Sequence, residues 1–367
     1  MKKDVFKPAG KLRTGWTTGA CATAAAKAAT QALLRGRFED EVTIILPGGQ
    51  KPTFSLSYQL LESDQAHAGV IKDAGDDPDV THGAEIVVTV RRAKAGDGIS
   101  FHAGEGVGTA TLPGLPVAVG EPAINPTPRK MICETIEGVA SSFDTAADFE
   151  ITIAIPGGEI LAQKTMNGRL GIIGGLSVLG TTGIVKPYSC SAWIHSIHSG
   201  IDVARAAGLG HIAAATGKTS ESAIKQLYGF DDIALIDMGD FAGGVLKYLR
   251  HHPVEKLTLA GGFGKLTKLA LGHMDLHSAR SGLDFDDLAA CIKELGGTAE
   301  AQALAADATT AMAVLDLART HNLALADLIA RRAREQARVA LQGAVRVEVC
   351  IFDRSGQLAG RANDAND

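Results

Sequence analysis

Short apolar segments alternate with helical patterns through the second half of the chain, and this rhythm constrains the fold most. Strands are predicted at 212–215, 233–236 and 257–260, and helices at 191–207, 221–228 and 241–250. Continuous apolar strands that alternate with helices are typical of a parallel sheet covered by helices on both faces. The second half is therefore predicted to be a C-terminal α/β Rossmann-like domain with a mostly parallel sheet. Further helices are expected near 285–295, 299–318 and 323–341, a last strand at 345–352, and a frayed polar tail at 356–367.

The first half predicts a mixture of α and β elements. The Ala-rich stretch 20–34 follows Thr17-Thr18-Gly19, so it indicates a helix with either threonine as its N-cap. Strand-like runs lie at 42–46, 53–58, 85–90 and 149–155, with a helix predicted at 126–140. Pro156-Gly157-Gly158 ends the last of these strands. We therefore expect two domains, an N-terminal α+β domain at 1–156 and the α/β domain at 157–367.

Composition excludes several classes of protein. The net charge is -5 and aromatic residues make up 5% of the chain, with no basic stripe, so nucleic acid is not an expected partner. No apolar run approaches the roughly 18–20 residues of a membrane span, and the polar start does not resemble a signal peptide. The five cysteines are scattered without a C-x-x-C pair. We therefore expect a cytoplasmic protein without a disulfide framework, a structural zinc site or a membrane partner.

Four successive loops of the second half carry Gly, Thr, Asp or Lys, at 180–183, 216–218, 237–240 and 261–264. In an open parallel sheet, ligands bind at the carboxyl ends of the strands, where the strand order reverses. Each glycine alone could serve only to permit a turn, but four such loops in series favour a crevice for a nucleotide-like molecule. The candidate cofactor-binding residues are Thr181, Thr182, Gly183, Thr216, Gly217, Asp237, Gly262 and Gly264.

Two familiar nucleotide motifs fail on spacing. Gly217-Lys218-Thr219 resembles the end of a P-loop, but the position of the first glycine holds Ile212. Gly262-Phe263-Gly264 lacks the third glycine of a dinucleotide fingerprint, because Thr267 stands there. Neither a kinase nor a dehydrogenase has motif support.

Residues 73–79 form the densest charge cluster of the chain. The loop resembles a calcium loop, yet its twelfth position is Ala84 rather than the bidentate Glu. It is either a solvated turn between strands or a set of carboxylates that face a cation or accept protons in an active crevice. Two other clusters are weaker. His273-Met274-Asp275-Leu276-His277 is a poor metal motif, and His195 and His198 beside Trp193 are expected to be surface or packing residues, so no metal site is predicted.

Several long blocks of the chain resemble the cobalt-precorrin-5B C1-methyltransferase family of cobalamin biosynthesis. The blocks are 12–27, 72–83, 104–109, 119–126 and 164–185, continued by 261–266 and 272–278. The similarity runs from about residue 10 to 350. Residues 188–198 do not look like a family block, so no function is carried onto them.

The resemblance implies transfer of a methyl group from S-adenosylmethionine to C1 of (cobalt-)precorrin-5B, which gives (cobalt-)precorrin-6A. The corrinoid substrate carries many carboxylates, which a net-negative chain must recognise locally. The candidate substrate-binding residues are Arg13, Thr17, Thr18, Gly19, Lys27, Lys72, Arg129, Lys164 and Arg169. Proton removal from the ring could use Asp73, Asp76, Asp77, Asp79 or His82, and the sequence does not choose among these candidate catalytic residues. Cobalt would arrive within the substrate.

Two other functions compete with methyl transfer. A non-catalytic carrier would hold a corrinoid intermediate between enzymes, and a phosphoryl-transfer enzyme would use the turn at 217–219. The Ala-rich C-terminal helices also leave a homodimer open.

Overall fold

The computed structural model describes Gly10, residues 12–343 and residues 345–363. The chain contains helices and mixed sheets, and it divides into two compact units between Cys190 and Ser191. This division lies later than the predicted boundary at 156/157. The reason is strand pairing, because residues 172–173 pair with 109–110 and residues 184–185 pair with 15–16. Residues 157–190 therefore belong to the first unit rather than to the predicted α/β domain.

The first unit is built around an antiparallel sheet and two long helices. Its elements are β1 (Gly15–Trp16), α1 (Thr18–Arg35), β2 (Glu41–Thr43), β3 (Thr53–Ser55), β4 (Tyr58–Leu61), β5 (Gln65–Ile71), β6 (Glu85–Arg92), β7 (Ile99–Ala103), β8 (Thr109–Ala110), α2 (Pro126–Ser142), β9 (Phe149–Ala154), α3 (Gly158–Ala162), β10 (Ile172–Ile173) and β11 (Ile184–Val185). The central sheet has the order β4-β5-β6-β9-β7, and only the β7–β9 pair in it is parallel.

Helix α1 packs against α2 and against β5 and β6. Its alanines are almost all fully buried, because small side chains let the helix lie close to the sheet. The helix begins where the Thr17 side chain accepts a hydrogen bond from the Ala20 N–H at 3.2 Å, which confirms Thr17 as the N-cap. It ends at Gly36, whose φ of 83° is left-handed.

Strand β5 lies next to the centre of the sheet, although no strand is predicted there. Ala66, Ala68 and Val70 alternate toward the buried face, but Gln65, His67 and Gly69 hide this pattern in the sequence. The single strand predicted at 53–58 is also wrong, because β3 and β4 pair with different partners.

The second unit is built around a mostly parallel sheet. Its elements are α4 (Cys190–Ala206), β12 (His211–Ala215), α5 (Lys218–Tyr228), β13 (Leu235–Asp237), α6 (Ala242–Leu249), β14 (Lys256–Gly262), α7 (Phe263–Ala270), α8 (Phe285–Glu294), α9 (Ala299–Ala306), α10 (Ala311–Thr320), α11 (Leu325–Leu341), β15 (Arg346–Phe352) and β16 (Leu358–Ala362). The sheet order is β13-β12-β14-β15-β16, and all neighbours are parallel except β15 and β16. The predicted mostly parallel sheet is confirmed.

Two sequence predictions for the second unit are wrong. The tail predicted to be frayed contains β16, because the Arg361 N–H donates to Asp327 and the Arg361 side chain to Glu348. Residues 364–367 of that tail lie outside the described residues. The single helix predicted at 299–318 is interrupted, since the side chain of Thr310 caps a new helix by accepting from the Ala313 N–H.

The strand order fixes where the second unit can bind a ligand. From β12 the chain moves to β13 on one side and then to β14 on the other. The connections therefore leave β12 and β14 in opposite directions, and the carboxyl ends of such a strand pair are where open α/β sheets bind ligands. In the part of the chain that the structure describes, no helix is both long and apolar enough to cross a membrane.

Candidate functional site

In the first unit, two distant segments cross in direct backbone contact. The Trp16 N–H donates to the Asp73 carbonyl at 2.7 Å, and the Asp76 N–H donates to the Arg13 carbonyl at 3.0 Å. A Cβ on Gly75, whose φ is +69°, would lie 2.2 Å from the Arg13 oxygen, and one on Gly15 would lie 2.1 Å from the Ala74 carbonyl carbon. Only glycine fits at both positions. The crossing brings Arg13 together with the acidic loop.

Every carboxylate of the acidic loop accepts a backbone N–H. The pairs are Asp73 with Gly75 (2.9 Å), Asp76 with Arg13 (2.6 Å), Asp77 with Tyr188 (2.8 Å) and Asp79 with Thr81 (2.7 Å). Two hydrogen bonds, the stronger from the Arg13 guanidinium and the other from the Gly75 N–H, lower the pKa of Asp73 to about 2. A carboxylate that is so easily ionised is a weak general base. These contacts give the four aspartates a role in shaping the loop, and their catalytic role stays a prediction.

Lys72 is buried next to the same loop. Its side chain is 1% exposed, and its Nζ lies 2.6 Å from Asp79 Oδ2. Burial acts to raise the pKa of Asp79, but the charge and hydrogen bond of Lys72, together with the hydrogen bonds of Thr81, outweigh burial and lower the pKa. Lys72, predicted to bind a substrate carboxylate, is therefore paired with a carboxylate of the protein itself.

His82 projects from the end of the acidic loop, with 52% of its side chain exposed. Its Nδ1 accepts a hydrogen bond from the Ala74 N–H at 3.1 Å. The neutral ring must then carry its proton on Nε2, by assignment from this hydrogen bond. In this tautomer the other nitrogen is a donor, which suits the carboxylate of a ligand better than proton removal.

The start of α1 is closed by the loop 179–183. The Thr17 N–H donates to the Gly183 carbonyl and the Gly19 N–H to the Leu179 carbonyl, both at 3.0 Å. Thr18 Oγ1 accepts from the Leu179 N–H at 2.9 Å. Backbone donors expected to hold substrate carboxylates are thus occupied. Thr181, Thr182 and Gly183 consequently lie in the first unit, and their predicted place at an end of the parallel sheet is wrong.

The remaining predicted substrate residues lie on other parts of the first unit. The Lys27 ammonium donates to the Thr43 carbonyl at 2.7 Å, and burial lowers its pKa. Arg129 donates to the Ile124 carbonyl at 2.9 Å and to Glu121 at 3.1 Å. Lys164 is exposed in a turn after α3, and Arg169 lies in a 3-10 turn. Contact of these four with a substrate stays a prediction.

In the second unit, the ends of β12 and β14 lie side by side. The Thr216 N–H donates to the Ala260 carbonyl at 2.9 Å. Helix α5 begins at Lys218 directly after Gly217, so the short turn cannot form the phosphate cradle of a P-loop. A Cβ on Gly217 or Gly262 would meet nothing within 4 Å, and the φ values of 164° and -72° suit any residue. Neither backbone nor packing requires glycine at these two positions, and the space beside them is open.

The other predicted cofactor residues of this unit differ in their surroundings. Asp237 ends β13, one strand beyond β12. A Cβ on Gly264 would lie 3.4 Å from the Ala311 Cβ, so Gly264 lies in the packing between α7 and α10.

Two residues that the sequence did not single out complete this edge. The Lys265 ammonium donates to the Thr216 carbonyl at 2.7 Å and lies 3.0 Å from Asp240 Oδ1. That second contact is not aligned as a hydrogen bond, so the buried Asp240 Oδ1 has no hydrogen-bond partner among the described residues. The only signal in the sequence was the position of both residues beside glycine-containing strand ends. Among the same residues, no cluster of three or more His, Cys, Asp or Glu is arranged to hold a metal ion.

An open parallel-sheet edge with glycines, an acid and a lysine is typical of α/β proteins that bind small ligands where the strand order reverses. The chain belongs to the CbiD family. The CbiD family model matches residues 5–187, and the model of the CbiD C-terminal domain matches residues 275–363.

Curated relatives resemble the chain over almost their whole length. A cobalt-precorrin-5B C(1)-methyltransferase of Brucella anthropi is 56% identical over 96% of both chains. Proteins of the same name from Brucella canis and Paramagnetospirillum magneticum are also 56% identical, over 98% and 96% of this chain and 99% and 98% of theirs. The crystal structure of cobalamin biosynthesis protein (cbiD) from Archaeoglobus fulgidus is 25% identical, with a TM-score of 0.40 and coverage of 85% and 86%.

Proposed function

We propose that this chain methylates C1 of a (cobalt-)precorrin-5B substrate in cobalamin biosynthesis, with S-adenosylmethionine as the methyl donor. The observation that carries the proposal is the 56% identity, over nearly all of both chains, to proteins named for this reaction. Cobalt, where present, belongs to the substrate.

The second unit offers the better fit to the methyl donor, as a Rossmann-like domain. Asp237 stands 20 residues after Gly217 and ends the strand that follows the first strand-to-helix turn. In dinucleotide-binding folds an acid at this distance accepts hydrogen bonds from ribose hydroxyls. S-adenosylmethionine has a ribose but no pyrophosphate, so it does not need the glycine-rich phosphate fingerprint that this chain lacks. We therefore assign Asp237 to the ribose.

The crevice between β12 and β14 suits the amino-acid end of the donor. Gly217 and Gly262 leave the space beside both strand ends open. The Lys265 ammonium offers a charge partner for a carboxylate, and the buried Asp240 Oδ1 offers an acceptor for an ammonium group. When bound, the sulfonium supplies an electrophilic methyl group. The protein residues contribute binding and orientation, which are major sources of rate enhancement in a bimolecular transfer.

The first unit offers the better fit to the corrinoid. It holds five of the blocks that resemble the methyltransferase family, and in the block at 72–83 the exposed His82 can donate from Nε2 to a substrate carboxylate. Asp73 of the acidic loop is held ionised by its hydrogen bonds, so this carboxylate is poorly suited to proton removal. A homodimer and a cytoplasmic location stay predictions.

A binding and turnover experiment tests this function. Purified protein should release or absorb heat with S-adenosylhomocysteine, and a precorrin-5B-type substrate should gain the mass of one methyl group when S-adenosylmethionine is present. A corrinoid spectral shift without cofactor binding or mass gain would instead identify a carrier. ATP binding that is lost in Lys218→Ala would favour phosphoryl transfer.

A further inference from the structure

Trp193 lies near the start of α4, in a segment that carries no family block. Its indole Nε1–H donates to the Asp237 carbonyl at 3.2 Å. A Cβ on Gly239 would lie 3.3–3.4 Å from atoms of the same ring, so the backbone after β13 contacts the indole directly. The ring is thus fixed in position, yet 46% of the residue is exposed.

The usual reason to fix an indole is packing, but here close to half of its surface faces solvent. The ring lies at the carboxyl end of β13, and β13 pairs directly with β12, whose end carries Thr216 and Gly217. Neighbouring strands lie about 5 Å apart. A nucleoside is long enough to reach from the end of β12 to the indole at the end of β13.

We propose that the indole of Trp193 is the stacking platform for the adenine ring of the methyl donor, a step that rests on the function proposed above. Asp237 contacts the indole and also lies where the ribose is assigned. Its carbonyl holds the indole, while its position at the strand end suits the ribose. A ribose at Asp237 places the attached base beside Trp193. Purines stack on aromatic side chains in this manner without requiring a hydrogen bond that reads the base.

The composition of the chain makes a direct test possible. Its two tryptophans are Trp16 and Trp193. In the full-length variant Trp16→Phe, which retains an aromatic ring against Phe54, all tryptophan emission comes from Trp193. Titration with S-adenosylhomocysteine or adenosine should change that emission with the same Kd as calorimetry. L-methionine, which has no base, should leave it unchanged. The matched variant Trp193→Phe reports Trp16 alone and should show no change with adenosine.

Affinity provides the second readout. Trp193→Ala should weaken S-adenosylhomocysteine binding by about 5- to 150-fold, the range expected for loss of one stacked base. Trp193→Phe should restore most of that affinity, which a purely structural role at the Nε1 hydrogen bond would not allow. If wild type binds S-adenosylhomocysteine while the Trp193 emission and the Trp193→Ala affinity stay unchanged, this inference is wrong and the proposed function stands. If wild type does not bind the ligand at all, both are wrong.

Discussion

The ion pair of Lys72 and Asp79 holds the acidic loop of the first unit in place. A buried ammonium is tolerated only because a carboxylate oxygen lies 2.6 Å away. Asp79 also accepts two hydrogen bonds from Thr81, which fix the turn that leads toward His82. The pair therefore couples the burial of one charge to the shape of a functional loop.

We expect Asp79→Asn to lower the free energy of unfolding by about 3 kcal/mol, because it leaves the Lys72 charge buried without its partner. Lys72→Met should have a smaller effect, since the remaining Asp79 is 25% exposed and keeps its bonds to Thr81. Urea denaturation measures both. Asp76→Asn is the control and should change stability little, because this position is exposed and the amide oxygen can still accept the Arg13 N–H. Equal losses in all three variants would contradict this account.

Gly217 and Gly262 allow the proposed cofactor crevice to be tested without disturbing the fold. Gly217→Ala and Gly262→Ala should leave the thermal unfolding temperature almost unchanged, because neither new methyl group meets an atom within 4 Å. Both should weaken S-adenosylhomocysteine binding by roughly tenfold or more, since the methyl group occupies space that the ligand needs. Calorimetry measures the affinity. Unaltered affinity in both variants would remove these turns from the site.

A polar network lies at the opposite end of the parallel sheet. Burial opposes the charge of Glu348, but hydrogen bonds led by those of Tyr228 and Thr258 lower its pKa to about 2. Because the Thr258 hydroxyl donates to Glu348, His211 must donate its Nε2–H to Thr258. Burial and the Lys256 charge lower the pKa of His211 to about 4.

This network should make stability depend on pH. His211 has an ordinary pKa of 6.5, so between pH 6.5 and 4 the unfolded chain binds a proton that the folded chain does not. Stability should therefore decline as the pH falls through this window, and Glu348 should add a further decline below about pH 4.5. In His211→Asn, urea denaturation at several pH values should show a flatter profile above pH 4.5. The exposed His251 provides the control His251→Asn, and an identical slope in both variants would contradict the assignment.

At the scale of elements, α2 contains a glycine, which has a low helix propensity. Gly138 lies in the exposed middle of the helix, and a Cβ there would meet nothing within 4 Å. Gly138→Ala should raise the free energy of unfolding by about 0.5–1 kcal/mol, because alanine loses less backbone entropy in a helix. Gly264→Ala is a useful comparison, since its Cβ would lie in contact with the Ala311 Cβ at 3.4 Å rather than in open space. No gain in Gly138→Ala would contradict the expectation.

The elements also show which information the sequence carries. Helices α1 and α2 and strands β12 and β14 were predicted because their apolar patterns and caps are local. Strand β5 was missed because its buried positions are held mainly by alanine, and β16 because it depends on contacts of Arg361 with residues of other elements.

The candidate site divides in the same manner. Gly217, Asp237 and Gly262 were recognisable as strand ends, and the structure keeps them on one sheet edge. Lys265 and Trp193 were not recognisable, because their roles depend on a carbonyl of another element. Thr181 and Thr182 were wrongly assigned to the parallel sheet, because a short apolar run before a glycine turn has the same sequence pattern in parallel and antiparallel sheets.

At the scale of the whole molecule, each unit has its own hydrophobic core. The buried cluster of the first unit runs from Ala20 to Val178, and those of the second unit run from Ile197 to Ala362. Separate cores indicate that each unit can fold alone.

A fragment of residues 191–367 should therefore unfold in one cooperative thermal transition. If the methyl donor binds this unit, the fragment should also bind S-adenosylhomocysteine with an affinity near that of the full chain. Circular dichroism and calorimetry measure the two properties. A folded fragment without affinity would show that the donor site needs residues of the first unit, whereas an unfolded fragment would contradict the independence of the cores.

The pairing of β1 with β11 has a consequence for how the protein is made. Gly15 lies beside Val185, so the partners of this ladder are 170 residues apart in the chain. At roughly 5–20 residues per second, a ribosome needs on the order of 10 to 30 s to complete the pair after the first strand has emerged. During that interval the alanine-rich α1 exists without the loop that closes its start. Slower translation at rare codons, or a chaperone that binds the nascent chain, should therefore change the yield of folded first unit more when it acts before residue 185 is made than when it acts later in synthesis.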